Sequence, residues 1–187
     1  MGKRIFDIVL SLIALIPLSA VIFLFWFIVR FTSAGGGFYK QIRVGRFGSN
    51  FIIYKIRSMD AAGKVTHIGA FIRKYKIDEL PQLYNILKGE MSFVGPRPDI
   101  PGYYDRLTGN NRCLLNLRPG LTGPASIKYA AEEYLLQNVE NPQQYNDEVI
   151  FPDKVRLNLI YYNNQSLLMD IKLIICTLTG KLPKLYF

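Results

Sequence analysis

Residues 8–29 read IVLSLIALIPLSAVIFLFWFIV, an apolar run that contains no charged residue. A continuous helix of this length would be about 33 Å long, enough to cross the hydrocarbon core of a bilayer. Four structures can use such a run: a cleaved signal peptide, a buried core helix, a transmembrane span and a re-entrant hairpin. The signal peptide is disfavoured because no small-residue cleavage site follows the run. The core helix is disfavoured because helices that are apolar all round are uncommon in chains of this size.

Pro17 divides the apolar run into two halves. A break there leaves halves of about 14 to 18 Å, each too short to span a bilayer alone. Ser11 and Ser19 are placed to satisfy the carbonyl groups that a break would free. Both flanks of the run are basic, with Lys3 and Arg4 before it and Arg30, Lys40, Arg43 and Arg46 after it. Two basic flanks favour a hairpin with both ends in the cytoplasm, although these residues alone leave a kinked span open.

The whole chain is basic, since Lys and Arg outnumber Asp and Glu by 23 to 14 and the formal net charge is +9. This balance suits an anionic partner, whether nucleic acid, anionic lipid or a phosphorylated substrate. The two cysteines, Cys113 and Cys176, lack the spacing of a disulfide framework or a zinc site. The single His67 cannot form a histidine-based metal site. Any catalysis therefore depends on carboxylates and cations.

Local patterns predict a small soluble domain over residues 33–187, joined to a membrane element over residues 1–32. After a glycine-rich turn, the β-branched and aromatic run Phe51–Ile56 predicts a short strand. A helix is expected at Ile68–Tyr75, where apolar residues share one side. The sequence therefore predicts an α+β fold that is mostly helical.

A further helix is expected within residues 77–90, IDELPQLYNILKGE. Pro81 suits the first helical turn and Gly89 the end of the helix. Asp78 and Glu79 then lie at the helix N terminus, where carboxylates ordinarily cap the helix and complement its dipole. On the residues alone, capping is the favoured role for both.

The C-terminal third is expected to be helical and rich in aromatic residues. One helix begins over Pro152–Tyr162, and Ser166 caps a second that ends at Gly180. The tail over residues 181–187, KLPKLYF, mixes basic and aromatic side chains. Amphipathic helices of this kind either lie in a membrane interface or pack on the domain core.

Two loops place an arginine among prolines and glycines: GPRPDIPG at residues 95–102 and RPGLTGP at residues 118–124. Prolines on both sides of Arg97 restrict its backbone, so it resembles a preorganised cation that can bind phosphate oxygens. The glycines would let the backbone approach a ligand closely. Neither loop matches a dinucleotide-binding or Walker motif.

The stretch DELPQLYNILKGEMSFVGPRP at residues 78–98, followed by RPGLTGP, resembles the bacterial sugar transferases. These are monotopic polyprenyl-phosphate phosphoglycosyl transferases, here in their minimal form. The resemblance implies a re-entrant membrane helix bent at Pro17, with Ile16 in the place of the family's usual serine. It also implies a catalytic domain on the cytoplasmic face of the bacterial inner membrane.

The resemblance further implies roles for individual residues. Asp78 matches the family's nucleophile, and Glu79 its partner in binding Mg²⁺. Four cations match positions that contact phosphates or lie near the active site: Lys55, Arg73, Arg97 and Arg118. These roles displace helix capping as the interpretation of the Asp-Glu pair.

The implied reaction transfers a sugar-1-phosphate from a UDP-sugar to polyprenyl (undecaprenyl) phosphate through a covalent aspartyl intermediate, and UMP leaves. Residues 124–134, PASIKYAAEEY, depart from the family's commoner sequence, so the sugar cannot be inferred. The alternative is a non-enzymatic, membrane-anchored basic module that binds anionic lipid or an assembly partner. No motif supports nucleic-acid binding, and the aromatic tail is a candidate surface for a homodimer.

Overall fold

Residues 2–33 and 35–180 are described by the computed structural model of the chain. These described residues contain four short strands: β1 (Phe38–Val44), β2 (Asn50–Ile56), β3 (Ser92–Val94) and β4 (Gly120–Thr122). The helices are α1 (Gly2–Thr32), α2 (His67–Lys74), α3 (Gln82–Lys88), α4 (Pro124–Lys128), α5 (Glu132–Gln137), α6 (Pro142–Tyr145), α7 (Phe151–Asn164) and α8 (Leu167–Thr179). The predicted α+β class, mostly helical, is confirmed.

The long helix α1 contains the whole apolar run and is, within the described part of the chain, the helix long and apolar enough to cross a membrane. The helix assignment continues through Pro17, so the expected stretch of non-helical residues between two helices is not found, while the expected bend at Pro17 stays a prediction. A proline removes a single backbone donor, and giving up further main-chain bonds in apolar surroundings would cost more than retaining the helix. Ser19 Oγ donates to the carbonyl of Ile16 at 2.9 Å, whereas Ser11 Oγ is buried without a partner. The path of α1 in a membrane stays a prediction.

Residues 2–43 and 50–91 form one compact unit. Its core contains Val29, Ile56 and Ile72, which come from α1, β2 and α2. β2 begins one residue before the predicted strand and pairs with β1, which the sequence analysis missed. Thr66 caps α2 by accepting from the N–H of Gly69 at 2.9 Å.

Residues 44–49 and 92–180 belong to a second unit. There β3 and β4 pair in parallel, with Ser92 opposite Gly120 and Val94 opposite Thr122. This pairing brings the two arginine-containing loops together. A Cβ on Gly120 would lie 2.2 Å from the backbone nitrogen of Gly95. The glycines thus allow the two loops to touch each other, while the expected close approach of a ligand stays a prediction.

The C-terminal helices agree with the predictions. Ser166 caps α8 by accepting from the N–H of Met169 at 3.2 Å, and Gly180 ends it with a positive φ of 67°. α8 leaves apolar side chains exposed, including Leu168 and Leu178, and its place in a membrane interface stays a prediction. The predictions for the tail and its pairing with a second copy lie outside the described residues.

Candidate active site

The Asp-Glu pair follows an unusual backbone turn. α2 ends at Lys74, and Lys76 adopts the left-handed conformation (φ 58°, ψ 20°), which is uncommon for a residue other than glycine. The chain then enters a 3-10 turn over Ile77–Glu79, just before α3. Both carboxylates therefore precede α3 and do not belong to its first turn.

Helix capping does not explain the pair. Pro81 occupies the N-cap position of α3, and no side chain caps this end of the helix. Asp78 and Glu79 are nevertheless buried, each with 8% of its surface exposed. Charged side chains are rarely buried without a partner because desolvation is costly, so their burial calls for another explanation.

Lys55 supplies part of that explanation. Its Nζ lies 2.9 Å from Glu79 Oε1, although the two residues are 24 positions apart. Both side chains are mostly buried, at 19% and 11% exposure, so solvent screens the pair less than it would on the surface. The structure therefore brings Lys55 next to the Asp-Glu pair, while the predicted part of Lys55 in an active site stays a prediction.

Asp78 has a buried carboxylate oxygen, Oδ1, without a hydrogen-bond partner. Burial raises the pKa of this carboxyl, and the neighbouring Glu79 charge raises it further, while Lys55 and Lys76 lower it. A buried polar atom without a partner is unusual and requires an explanation, such as a catalytic role or a missing ion. The sequence analysis did not give Lys76 a part in the site, although its position two residues before Asp78 was a signal.

The carboxylates fit a hard divalent cation. Mg²⁺ commonly takes one or two protein carboxylates and completes its shell with waters and substrate phosphates. The unpartnered Asp78 Oδ1 and the adjacent Glu79 can supply such ligands. The described residues contain no group of three or more His, Cys, Asp or Glu side chains that could hold a metal, so a site built wholly from protein side chains is not found there.

The predicted phosphate-binding arginines are distributed over both units. Arg73 lies in the last turn of α2, in the same unit as Lys55 and the carboxylates. Arg97 and Arg118 belong to the second unit, where their loops meet: a Cβ on Gly95 would lie 2.3 Å from the carbonyl oxygen of Arg118. Arg97 is exposed between the buried prolines of its loop.

The divergent residues 124–134 form α4 and the beginning of α5, and their side chains form hydrogen bonds and ion pairs with α7. Asp153 accepts from Lys128 Nζ at 2.7 Å and from Tyr129 OH at 2.9 Å. Lys154 Nζ lies 2.7 Å from Glu132 Oε1. In this protein, ion pairs therefore give the segment a defined structure on α7.

Comparison with known proteins agrees with these motifs. A family model described as bacterial sugar transferase matches residues 1–183. The uncharacterized sugar transferase EpsL of Bacillus subtilis (strain 168) is 33% identical over 94% of this chain and 84% of that protein. A putative undecaprenyl-phosphate N-acetylgalactosaminyl 1-phosphate transferase of the same strain is 38% identical over 70% of this chain and 79% of that protein.

A larger relative is the UDP-glucose:undecaprenyl-phosphate glucose-1-phosphate transferase of Klebsiella pneumoniae. It is 31% identical over 94% of this chain, which spans 39% of that protein. The family match covers nearly the whole chain, including the Asp-Glu pair and both arginine loops. The protein therefore belongs to the bacterial sugar transferase family, as its DELPQL and GPRP motifs predicted.

Proposed function

We propose that this transferase moves a sugar-1-phosphate from a UDP-sugar to undecaprenyl phosphate, through a covalent intermediate on Asp78. The observation that carries the proposal is the buried Asp78 Oδ1, which has no hydrogen-bond partner and lies beside the Lys55–Glu79 ion pair. The names of the relatives support the same reaction class, since they include undecaprenyl-phosphate sugar-1-phosphate transferases.

In the first step, a carboxylate oxygen of Asp78 attacks the phosphorus bonded to the sugar. The new O–P bond forms an acyl phosphate, and the bond to the bridging oxygen breaks so that its electron pair leaves with UMP. In the second step, a phosphate oxygen of undecaprenyl phosphate attacks the same phosphorus. The acyl phosphate bond then breaks, the product is undecaprenyl diphosphate sugar, and the Asp78 carboxylate is regenerated.

The neighbouring groups make this attack feasible. Burial removes hydrating water from the Asp78 carboxylate, while Lys55 and Lys76 oppose the resulting rise in its pKa and favour the ionised nucleophile. Lys55 holds Glu79 by the 2.9 Å ion pair. Mg²⁺ held by Asp78 and Glu79 would supply charge neutralisation on the diphosphate. Arg73, Arg97 and Arg118 are proposed to bind substrate phosphates.

We also propose that α1 enters and leaves the membrane on one face. Near its start, the guanidinium of Arg4 donates to the carbonyls of Ile86 and Leu87 in the last turn of α3, at 2.5 and 2.7 Å. Near its end, Val29 packs with Ile56 and Ile72. A span would separate the ends of α1 by about 30 Å of hydrocarbon. Contact of both ends with one compact unit supports a re-entrant path.

The middle of α1 is the part available to lipid, since Ile16 is 78% exposed and Pro17 is exposed as well. The basic residues at both ends favour the cytoplasmic side. We therefore propose the cytoplasmic face of the bacterial inner membrane as the location, with the bilayer as a partner. This arrangement would hold the carboxylates at the depth of the lipid phosphate.

The test uses the full chain in lipid nanodiscs with Mg²⁺, undecaprenyl phosphate and a panel of UDP-sugars, with UMP release as the readout. We expect one or more donors to release UMP, and intact-protein mass spectrometry to show a phosphosugar adduct that Asp78→Asn abolishes. Asp60→Asn is the matched control, because an asparagine oxygen can still accept from the N–H groups of Ala62 and Lys64. Undiminished turnover by Asp78→Asn would refute the nucleophile.

The same assay separates the enzyme from a non-enzymatic basic module. A module that only binds anionic lipid would associate with nanodiscs and release no UMP from any donor. Identification of the donor that gives the highest rate would also establish the sugar.

A further inference from the structure

Asn85 is completely buried in α3, and its side-chain amide bonds to the backbone of β2. Its Oδ1 accepts from the N–H of Tyr54 at 3.3 Å, and its Nδ2 donates to the carbonyl of Ile52 at 2.7 Å. Asn85 thus donates a hydrogen bond to one residue of the strand and accepts one from the residue two positions later. A residue of a neighbouring strand would form the same pair of hydrogen bonds. The carboxamide therefore takes the place of a strand residue beside β2.

The orientation of this amide is determined by its surroundings. Besides the carbonyl of Ile52, Nδ2 donates to Glu90 Oε2 at 2.7 Å. A flipped amide would place its oxygen against two acceptors and its nitrogen against a donor, so the network selects one orientation. Both Nδ2 protons and the oxygen are satisfied, as a buried asparagine requires.

The register of β2 decides where Lys55 lies. Lys55 follows Tyr54 directly, and its Nζ reaches Glu79 Oε1 at 2.9 Å. Because side chains alternate along a strand, a slip of one residue would turn Lys55 to the opposite side. Besides its pairing with β1, β2 is bonded by Asn85 at Ile52 and Tyr54, close to Lys55 in the strand.

Asn85 also connects β2 with the helix that follows the Asp-Glu pair. It belongs to α3, which begins three residues after Glu79. Its own backbone carbonyl accepts from the N–H groups of Glu90 and Met91 at 3.0 and 3.2 Å, which secures the end of that helix. One short helix thus lies next to the Asp-Glu pair and holds the strand that carries its cation.

We propose that Asn85 is a positioning residue that acts through Lys55: its carboxamide sets the register of β2 and so places the ammonium against Glu79. The catalytic part of this inference rests on the proposed function. The structural part, the pairing of the carboxamide with β2, is independent of it.

The kinetic test is a double-mutant cycle in nanodiscs, with kcat and KM for UMP release measured for wild type, Asn85→Asp, Lys55→Met and the double variant. Asn85→Asp has the same shape and keeps an acceptor for Tyr54, but it places an acceptor against the carbonyl of Ile52. We expect kcat to fall about tenfold or more, with KM for the donor within about threefold of wild type. The double variant should be no slower than Lys55→Met, within about twofold.

Other outcomes contradict the proposal. If the two losses multiply, Asn85 does not act through Lys55, and if kcat of Asn85→Asp is unchanged, the register is not set by this residue. Asn138→Asp is the control for the same chemical change at an exposed position, where it should alter neither constant. A general loss of folding would lower the active fraction of every variant of Asn85 and would not produce the non-additive pattern.

Hydrogen exchange provides the structural readout and a second variant. We expect the Tyr54 amide to exchange about tenfold or more faster in Asn85→Asp than in wild type. Glu90→Ala removes the acceptor of the outer Nδ2 proton at a half-buried position, together with the ion pair to Lys88, and leaves both bonds of Asn85 to β2 in place. It should give a smaller increase in exchange and a smaller loss of kcat than Asn85→Asp. Unchanged exchange in both variants overturns the pairing. If wild type releases no UMP from any donor, the proposed function fails, while the exchange result still decides the role of Asn85 in β2.

Discussion

Replacement of Lys55 by methionine tests the electrostatics of the site most directly. Methionine keeps much of the length and apolar volume of the lysine side chain but removes the ammonium that lies 2.9 Å from Glu79 Oε1. The two adjacent carboxylates then lose a cation that is only 19% exposed and is therefore weakly screened. An attack by a carboxylate on a diphosphate becomes harder as the negative charge around it increases.

The magnitude follows from the type of contact. A hydrogen bond between charged groups contributes about 1.5–3 kcal/mol, and each 1.36 kcal/mol corresponds to a factor of ten in rate. If 2–3 kcal/mol of this is lost in the transition state, kcat for UMP release falls about 30- to 150-fold. The assay is initial-rate UMP release in nanodiscs at saturating donor, with Lys64→Met in the exposed turn before α2 as the control.

The same substitution should shift the pH dependence. Burial raises the pKa of Asp78, and Lys55 opposes that rise. Without Lys55 the pKa rises further, so the ionised nucleophile is lost at a higher pH and the acidic limb of kcat/KM moves upward. A variant with wild-type kcat and an unmoved acidic limb would refute the view that Lys55 neutralises this pair of carboxylates.

The remaining predictions concern stability and cofactor. Burial raises the pKa of Asp78 above its ordinary value of 3.8, so the folded state binds this proton more tightly than the unfolded state does. Ionisation of Asp78 therefore lowers the stability of the folded state as the pH rises from 3.8 through the pKa that Asp78 has in the folded protein. Asp78→Asn should therefore raise Tm at neutral pH by roughly 2–4 °C for about 1 kcal/mol, and a lower Tm would contradict the burial argument. Gly120→Ala should destabilise the protein by about 1–3 kcal/mol in urea unfolding, because the new Cβ would lie 2.2 Å from the nitrogen of Gly95; an unchanged midpoint would show that the loops separate easily. Arg4→Ala should cost about 1–3 kcal/mol by the same measurement, since it removes two bonds to the last turn of α3, while Lys64→Ala should cost nothing measurable. EDTA should abolish UMP release and Mg²⁺ restore it; full activity in EDTA would exclude the proposed metal role of Asp78 and Glu79.

Several features of the protein were readable from short stretches of sequence. Gly89 ends α3 and Ser166 caps α8 in the predicted places, because a cap acts on backbone groups within one helical turn. The long apolar helix α1 was likewise predictable from its composition, because no contact with another segment is needed to recognise it. The Asp-Glu pair and the two arginine loops were found by their resemblance to a family, and the family match covers them.

Other features were decided by contacts between residues far apart in the chain. The parallel pairing of Ser92 with Gly120, and the resulting contact of the two loops, leaves no local pattern because each strand is only three residues long. Pro17 predicted a break, yet the helix continues through it. The approach of Lys55 to Glu79, the unpartnered oxygen of Asp78 and the pairing of Asn85 with β2 depend on how β2, the 3-10 turn and α3 pack. Sequence alone thus determined the ends of several helices and the chemical groups of the site. The tertiary structure decided which groups meet, because burial and ion pairing depend on neighbours that the chain brings together only when it folds.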